Sequence, residues 1–416
     1  MRALAVTTLS SLCLFAASYP VSEGENAVGA DAFVGSVGVN VHLHYTDTSY
    51  GNFAAVEKAV KDLKVRHIRD GLTDTAWTPY YERLNELGRA GVKAILIASP
   101  KENGALLADY PTRVADSFEG YEAPNEYDQS GDKDWARTIN DFMARLYEGV
   151  RSDPKTAKFR IVGPSLTQAE SFAKVAGTAR FFDFANLHNY LGGRNPGTSG
   201  WGANGYGSYE WNLNLARSAW GGKPTFTTET GYFNDVSKAD GVPEVVAGKY
   251  LPRLLFLQWM HGIRRTYVYE LVDLGGTHTG GDGTFGLLHA DFTPKPAYTS
   301  VRSVMRLLAD PGPAFSAGSL EYSLSGDLKD VEHLLLQKRN GTFFLAIWIE
   351  ELGYDVNRRV ELPVAGRRIV LKTKNPSKVK LHRLGEDGEM ASSDLGVGRE
   401  HAVEIGDRVV ILEIAP

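Results

Sequence analysis

The chain has 416 residues, 43% of them hydrophobic and 23% charged, with a formal net charge of −5. That composition fits a globular protein of two or three domains with a sizeable core, and it excludes intrinsic disorder. Both signs of charge are interspersed without a basic stripe, which excludes nucleic acid and anionic membrane as main partners.

Residues 1–18 have the order of a signal peptide: Met1-Arg2, an apolar run to Phe15, then Ala16-Ala17-Ser18. A secreted or periplasmic protein is expected, with no membrane anchoring in its mature form, since the run is too short to span a bilayer once its serines and threonines are counted. Cys13 is the single cysteine and lies inside this leader, so the mature chain would carry neither thiol nor disulfide. A lipid anchor at Cys13 is the rival reading, opposed by the large Leu12 before it. Residues 19–35 form a short N-terminal segment.

From about Ser36 the chain alternates strand-like and helical stretches. Val37 to Tyr45 places Val37, Val39, Val41 and Leu43 on one face and Asn40, His42 and His44 on the other, the mark of a strand apolar outward and polar inward. A helix follows around Phe53 to Leu63, then a strand His67 to Leu72, a helix Trp77 to Ala90 ended by Gly91, and a strand Lys93 to Ser99 whose near-continuous apolar run suits a parallel sheet covered on both faces. Phe118 to Asp128 supplies a fourth strand and Trp135 to Val150 its helix. Further strands are read at Phe159–Ser165, Phe182–Tyr190, Pro224–Tyr232 and Arg265–Asp273, each with a following helix. Eight such units over about 270 residues match a (β/α)8 TIM barrel spanning residues 36–310, whereas a doubly wound sheet would need a Gly-rich first turn that is missing here.

The breaker cluster Ala309-Asp-Pro-Gly-Pro313 changes the texture. Short alternating runs follow at His333–Lys338, Thr342–Ile349, Arg359–Leu362, Arg368–Lys372, Lys378–His382 and Arg408–Ile414, so residues 311–416 read as an all-β sandwich that buttresses the barrel.

Barrel active sites lie at the C-terminal ends of the strands, and two carboxylates are placed there: Glu126, beside Asn125, after the fourth strand and Glu229 toward the end of the seventh. Those strands face each other across the ring, and facing carboxylates are what glycosidic bond cleavage needs. The other Asn-Glu pair, Asn85-Glu86, falls mid-helix and reads as a solvated face.

With these residues the pattern resembles the clan A glycoside hydrolases, in particular families 5 and 39. Asn125-Glu126, Glu229 in Thr-Glu-Thr-Gly231, Arg69 on the second strand, His188-Asn-Tyr190 on the sixth and Phe285 to Tyr298 after the eighth carry the resemblance; Tyr127 departs from it, since many members have Pro there. The resemblance implies retention, with Glu229 as nucleophile and Glu126 as general acid and then base, about 5 to 5.5 Å apart. Arg69 would hold the Glu229 pKa down, and burial with the charge of Glu229 would keep Glu126 protonated. The resemblance also implies that Asn125 binds a sugar hydroxyl, Tyr190 bonds Glu229 and His188 lines the site.

Alternatives stand beside these readings. Arg69 could instead pair with Asp70 or Asp74. His42 could touch substrate or, with His44, hold a metal, but no further ligand has matching spacing, so neither metal nor other cofactor is expected. Of Tyr269 and Glu270 one faces the sugar, and parity does not choose. In the long loop from Leu191 to Gly207, Trp201 offers a face for a sugar ring or packs down. The loop Gly275 to Gly283 lacks the spaced carboxylates of a calcium site. The reading as a whole is a glycoside hydrolase acting on a carbohydrate substrate, with a non-catalytic carbohydrate-binding or scaffold barrel as its rival.

Overall fold

A computed structural model describes residues 24–102, 104–202, 204–275 and 281–415. The leader, with Cys13, lies outside the described residues. Among the described residues, no helix is long and apolar enough to cross a membrane.

Eight parallel strands form the barrel: β1 (Val37–Asn40), β2 (His67–Gly71), β3 (Lys93–Ile97), β4 (Phe118–Glu122), β5 (Arg160–Val162), β6 (Ala185–His188), β7 (Thr225–Thr230) and β8 (Ile263–Val268). β1 pairs with both β2 and β8, and a parallel bridge from Val162 to Phe184 joins β5 to β6 and closes the ring. The strands are shorter than their apolar runs, because several runs continue past the last ladder pair into the loops at the mouth.

The helices cover the ring outside. α1 (Phe53–Leu63) starts where the Asn52 side chain accepts from Ala55 N, buries Val56, Ala59, Val60 and Leu63, and stops at Lys64 in a left-handed turn. α2 (Pro79–Arg89) starts with Pro at its first position. Its Gly88 runs against the Asp116 backbone, where a Cβ would come within 2.4 Å of a carbonyl carbon. Asn85 is not simply solvated: it donates to Arg113 O at 2.8 Å and accepts from Asp116 N, tying α2 to the end of α3 (Gly104–Arg113). α4 (Trp135–Ser152), α5 (Ala169–Lys174), α6 (Tyr209–Trp220), α7 (Glu244–Met260) and α8 (Pro296–Leu308) complete the set.

Val37, Val39, Val41 and Leu43 pack outward against this helical layer, as their alternation requires. Inside the ring an apolar plug of Ile95, Val162, Phe226 and Tyr267, with Phe184 against it, fills the middle. Gly38 makes room for it: a Cβ there would sit 2.6 Å from the Tyr267 ring. Beneath the plug, Glu119 binds Arg265 and His67; above it Asn40, Arg69, Glu122, Asn186 and Thr228 make a buried polar floor under the mouth.

The C-terminal β module contains β9 (Tyr322–Gly326), β10 (Val331–Gln337), β11 (Phe343–Ile349), β12 (Arg367–Leu384), β13 (Met390–Ile405) and β14 (Val410–Ala415). They are ordered β9-β12-β14-β11-β10, with β13 on β12. Two of the expected runs, Arg368–Lys372 and Lys378–His382, belong to one 18-residue strand, β12. A register shift between Lys372 and Ser377 absorbs Pro376, so the proline bends the strand rather than ending it. The Arg359–Leu362 run shrinks to Val360–Glu361, which pairs with Tyr354–Asp355 in a separate ribbon. β11 is buried along its whole length: Phe343, Leu345, Ile347 and Ile349 enter the module's own core, while Phe344, Ala346 and Trp348 join the barrel core. The N-terminal segment also docks here, Glu25–Asn26 on Ser319–Leu320 and Val28–Gly29 beside Leu336–Gln337.

Candidate active site

Arg69 organises the floor of the mouth. It stands on β2, inward by parity, and is 2% exposed. Its five N–H groups all have partners: Nε and Nη2 fork onto Glu122 at 2.7 and 2.8 Å, Nη1 meets Glu229 at 2.6 Å and Asn40 at 2.9 Å, and Nη2 also meets Asn125 at 2.6 Å. The pairings with Asp70 and Asp74 are not formed. Asp70 accepts from Leu43 N and Gly71 N, and Asp74 lies 3.6 Å from Arg113.

Glu229 reaches the mouth through an irregularity. Thr228, its neighbour, already points inward, bonding Glu122, Asn186 and His188. Register shifts against both β6 and β8 let the next residue turn inward as well. Burial pushes its carboxyl up, but His188, then Arg69, and the hydrogen bonds of Arg69 and Tyr190 outweigh this and hold it below its ordinary 4.5. The Tyr190 hydroxyl donates to it at 3.0 Å.

Glu126 does not stand on the strand. β4 ends at Glu122, and Glu126 follows in a left-handed turn with φ 42°, a backbone that residues other than glycine rarely adopt, anchored by Ser165 Oγ accepting from Glu126 N. Its side chain is 34% exposed, so the expected burial is absent, and the group that meets it is His188, with Nδ1 2.7 Å from Oε1. His188 is 3% exposed and bridges the pair, Nδ1 lying 3.5 Å from Glu229 Oε2 and Nε2 3.2 Å from Thr228 Oγ1. One oxygen of Glu126 and one of Glu229 lie within 4.8 Å of each other. Asn125, its Oδ1 taken by Arg69, is oriented with its amide N–H groups as donors to the cavity.

The cavity over these groups measures about 480 Å³ and is lined by Asn125, Glu126, Glu229, Tyr190, Arg69 and, on the β1 and β8 side, His42, His44, Tyr45, Tyr269 and Phe285. Tyr269 therefore faces it and Glu270 does not. Glu270 is fully buried behind His42, its Oε2 accepting from Tyr50 at 3.0 Å and lying 3.4 Å from His42 Nε2. Trp201 is also outside the lining. Its ring lies over Gly207 and Gly192, either of which would clash with it if it carried a Cβ, and Arg194 covers a face at 4.1 Å. The glycines let the loop close on one side of the ring, while Trp201 stays 36% exposed to solvent.

Glu122 was not singled out from sequence. It sits one inward step after Gly120 on β4, and that parity was the available signal.

Glu270 carries a stability prediction. Burial foremost pushes its carboxyl up to about 8 from 4.5, with Asp273 and Glu229 adding to this and Tyr50 and Lys295 opposing. A folded pKa above the unfolded one gives stability that is complete below pH 4.5 and is lost as pH rises through about 8. Glu270→Gln removes this dependence. Between pH 5 and 8 the wild-type Tm is expected to fall relative to the variant by roughly 5 °C, checked by paired melting curves. His42, 3.4 Å from Glu270 and held down to about 4 chiefly by burial, is present in both proteins, and His42→Gln paired with Glu270→Gln separates its share.

Neither a family model nor a curated protein matches the chain. Solved structures do. A family 39 glycoside hydrolase from the gut symbiont Bacteroides cellulosilyticus WH2 aligns with a TM-score of 0.61 at 15% identity, over 93% of this chain and 82% of that one. A glucosidase from Croceicoccus marinus gives 0.63 at 12%, and a monomeric β-xylosidase from Caulobacter crescentus CB15 gives 0.60 at 14%, each over 94% of this chain and 98% of the other. The chain shares the fold of these enzymes, a (β/α)8 barrel carrying a C-terminal β module. The alignments span the barrel and the β module together, so the two-part architecture is shared and not only the barrel.

Proposed function

We propose that the protein is a retaining β-glycoside hydrolase, with Glu229 as nucleophile and Glu126 as acid and base. The observation that carries this reading is the close approach, within 4.8 Å, of two carboxylates held differently, one by Arg69 and Tyr190 and the other by an imidazole. A base-activated water between them would need the carboxyl groups about 6.5 Å or more apart, and the approach of one oxygen of each within 4.8 Å supports direct attack instead.

In the first step Glu229 Oε attacks the anomeric carbon, the glycosidic C–O bond breaks, and Glu126 gives its proton to the departing oxygen. In the second, Glu126 takes a proton from water as the water oxygen attacks the same carbon and expels Glu229. Thr228 donates its hydroxyl proton to Asn186 or Glu122, which leaves its oxygen to accept from His188 Nε2–H. The Glu126–His188 contact then holds one proton between Oε1 and Nδ1. Arg69 keeps Glu229 ionised, and Asn125 offers its amide N–H to a ring hydroxyl.

The test is turnover of aryl β-glycosides with the product anomer followed by NMR. Release of the β anomer first supports the reading. Release of the α anomer would rule out retention, and glycan binding without turnover would favour the carbohydrate-binding rival. Export, the oligosaccharide or polysaccharide nature of the substrate and the absence of a cofactor remain part of the proposal.

A further inference from the structure

We infer that the sugar bound against Glu229 is electrically neutral, and that uronic acid and sulfated rings are rejected. This rests on the glycosidase reading above. Recognition of a sugar carboxylate or sulfate calls for a cation with uncommitted N–H groups, most effectively an arginine fork. Among the described residues lining the cavity the one arginine is Arg69, and each of its five N–H groups already meets Glu122, Glu229, Asn40 or Asn125. Pulling any of them away would leave a buried carboxylate or amide unpaired.

The other cations nearby stand outside the lining and are turned to other partners. Arg83 donates to the carbonyls of Leu43, Tyr50 and Gly51 and lies over the Trp77 ring. Arg194 is bound to Gly192 O and stacked on Trp201, and Lys295 is held by Asp273 and Asn234. Lys101 borders a neighbouring recess, but shares it with Asp74 and Glu102. Of the lining histidines, His42 is kept uncharged at neutral pH by burial, and His44 stands 3.6 Å from the buried Asp70.

Meanwhile two carboxylates, Glu122 and Glu229, already crowd the single guanidinium, and Glu126 stands beside Glu229 on His188. A further anion brought into the same volume would add like charge with no uncommitted arginine or lysine among the described lining residues to pair it. A neutral ring meets none of this: its hydroxyls face the Asn125 amide and the His42 ring, and its C–H faces meet the aromatic walls of Tyr269 and Phe285.

The test uses 4-nitrophenyl β-glucoside, β-xyloside and β-glucuronide on the full-length protein, the first and last differing only in CH2OH against carboxylate at C6. Turnover of a neutral glycoside, with kcat/KM for the glucuronide lower by on the order of 100-fold or more at pH 6 to 7, is the expected result. Glucuronide turnover equal to or above that of the neutral substrates would overturn the inference and leave the glycosidase reading standing. Silence on the whole panel, together with failure of 2-deoxy-2-fluoro glycosides to label Glu229 in a peptide map, would sink that reading and this one with it. Labelling by a neutral fluoro-sugar and not by its uronate counterpart would support both.

Discussion

Glu229→Gln is expected to lose turnover by about 10⁴-fold or more while keeping its fold, because the amide retains shape but cannot form the glycosyl ester. The substitution also removes the anion on Arg69 Nη1, yet that guanidinium keeps its fork on Glu122, so the melting temperature should change little. The roles of the two carboxylates are separated by adding azide to truncated variants. In Glu229→Gly, azide enters from the face vacated by the nucleophile and gives the α-glycosyl azide from an activated β-glycoside. In Glu126→Ala, the glycosyl-enzyme still forms on Glu229 when the leaving group needs no proton, and azide then gives the β-glycosyl azide. If the products appear the other way round, the assignments must be exchanged.

Glu350→Ala is expected to cost about 3–5 kcal/mol, the usual effect of removing one partner from a buried ion pair. Glu350 follows β11, is 6% exposed and faces the fully buried Arg253 of α7. Its Oε1 accepts from Arg253 Nη2, Asn195 Nδ2 and Gly197 N, and its Oε2 from Arg253 Nε and Trp348 Nε1. Its loss strands the guanidinium and releases the loop from Leu191 to Gly207 at Asn195 and Gly197. A fall in Tm of roughly 4–6 °C is expected, together with weaker turnover at temperatures well below the melt. Asn195→Ala separates the two effects, since it frees the loop and keeps the ion pair. An unchanged Tm for Glu350→Ala would show that the module and barrel are not joined through this contact.

How far the sequence spoke for itself varies from residue to residue. The alternation of Val37, Val39, Val41 and Leu43 against Asn40 and His42 placed both faces of β1, because a period of two is a direct property of the strand. Asn125-Glu126 was readable from position in the strand order. Glu122 was not weighed, since its importance arises from a partner, Arg69, that only closure of the ring brings near. Parity could not choose between Tyr269 and Glu270: β8 ends at Val268, and what decides beyond it is the pocket behind His42 that receives Glu270. Trp201 was ambiguous because an aromatic ring among glycines suits either a sugar platform or a ring the loop folds around. Here Gly192 and Gly207 make the second geometry possible. The two runs read at Arg368–Lys372 and Lys378–His382 are joined by a local register shift that sequence alternation does not report.

The docking of Glu25–Asn26 and Val28–Gly29 onto the far module sets an order in time. Glu25 is made early, but His333, which bonds it, follows 308 residues later. At ribosomal speeds of roughly 5–20 residues per second, that separation is a wait of about 15 to 60 s. Throughout it the N-terminal segment has no sheet to join, and the module cannot finish its own edge until the segment arrives. The barrel strands, each paired mainly with a near neighbour in the chain, can assemble meanwhile, so docking of Glu25 to Gly29 onto the far module should be among the last events of folding.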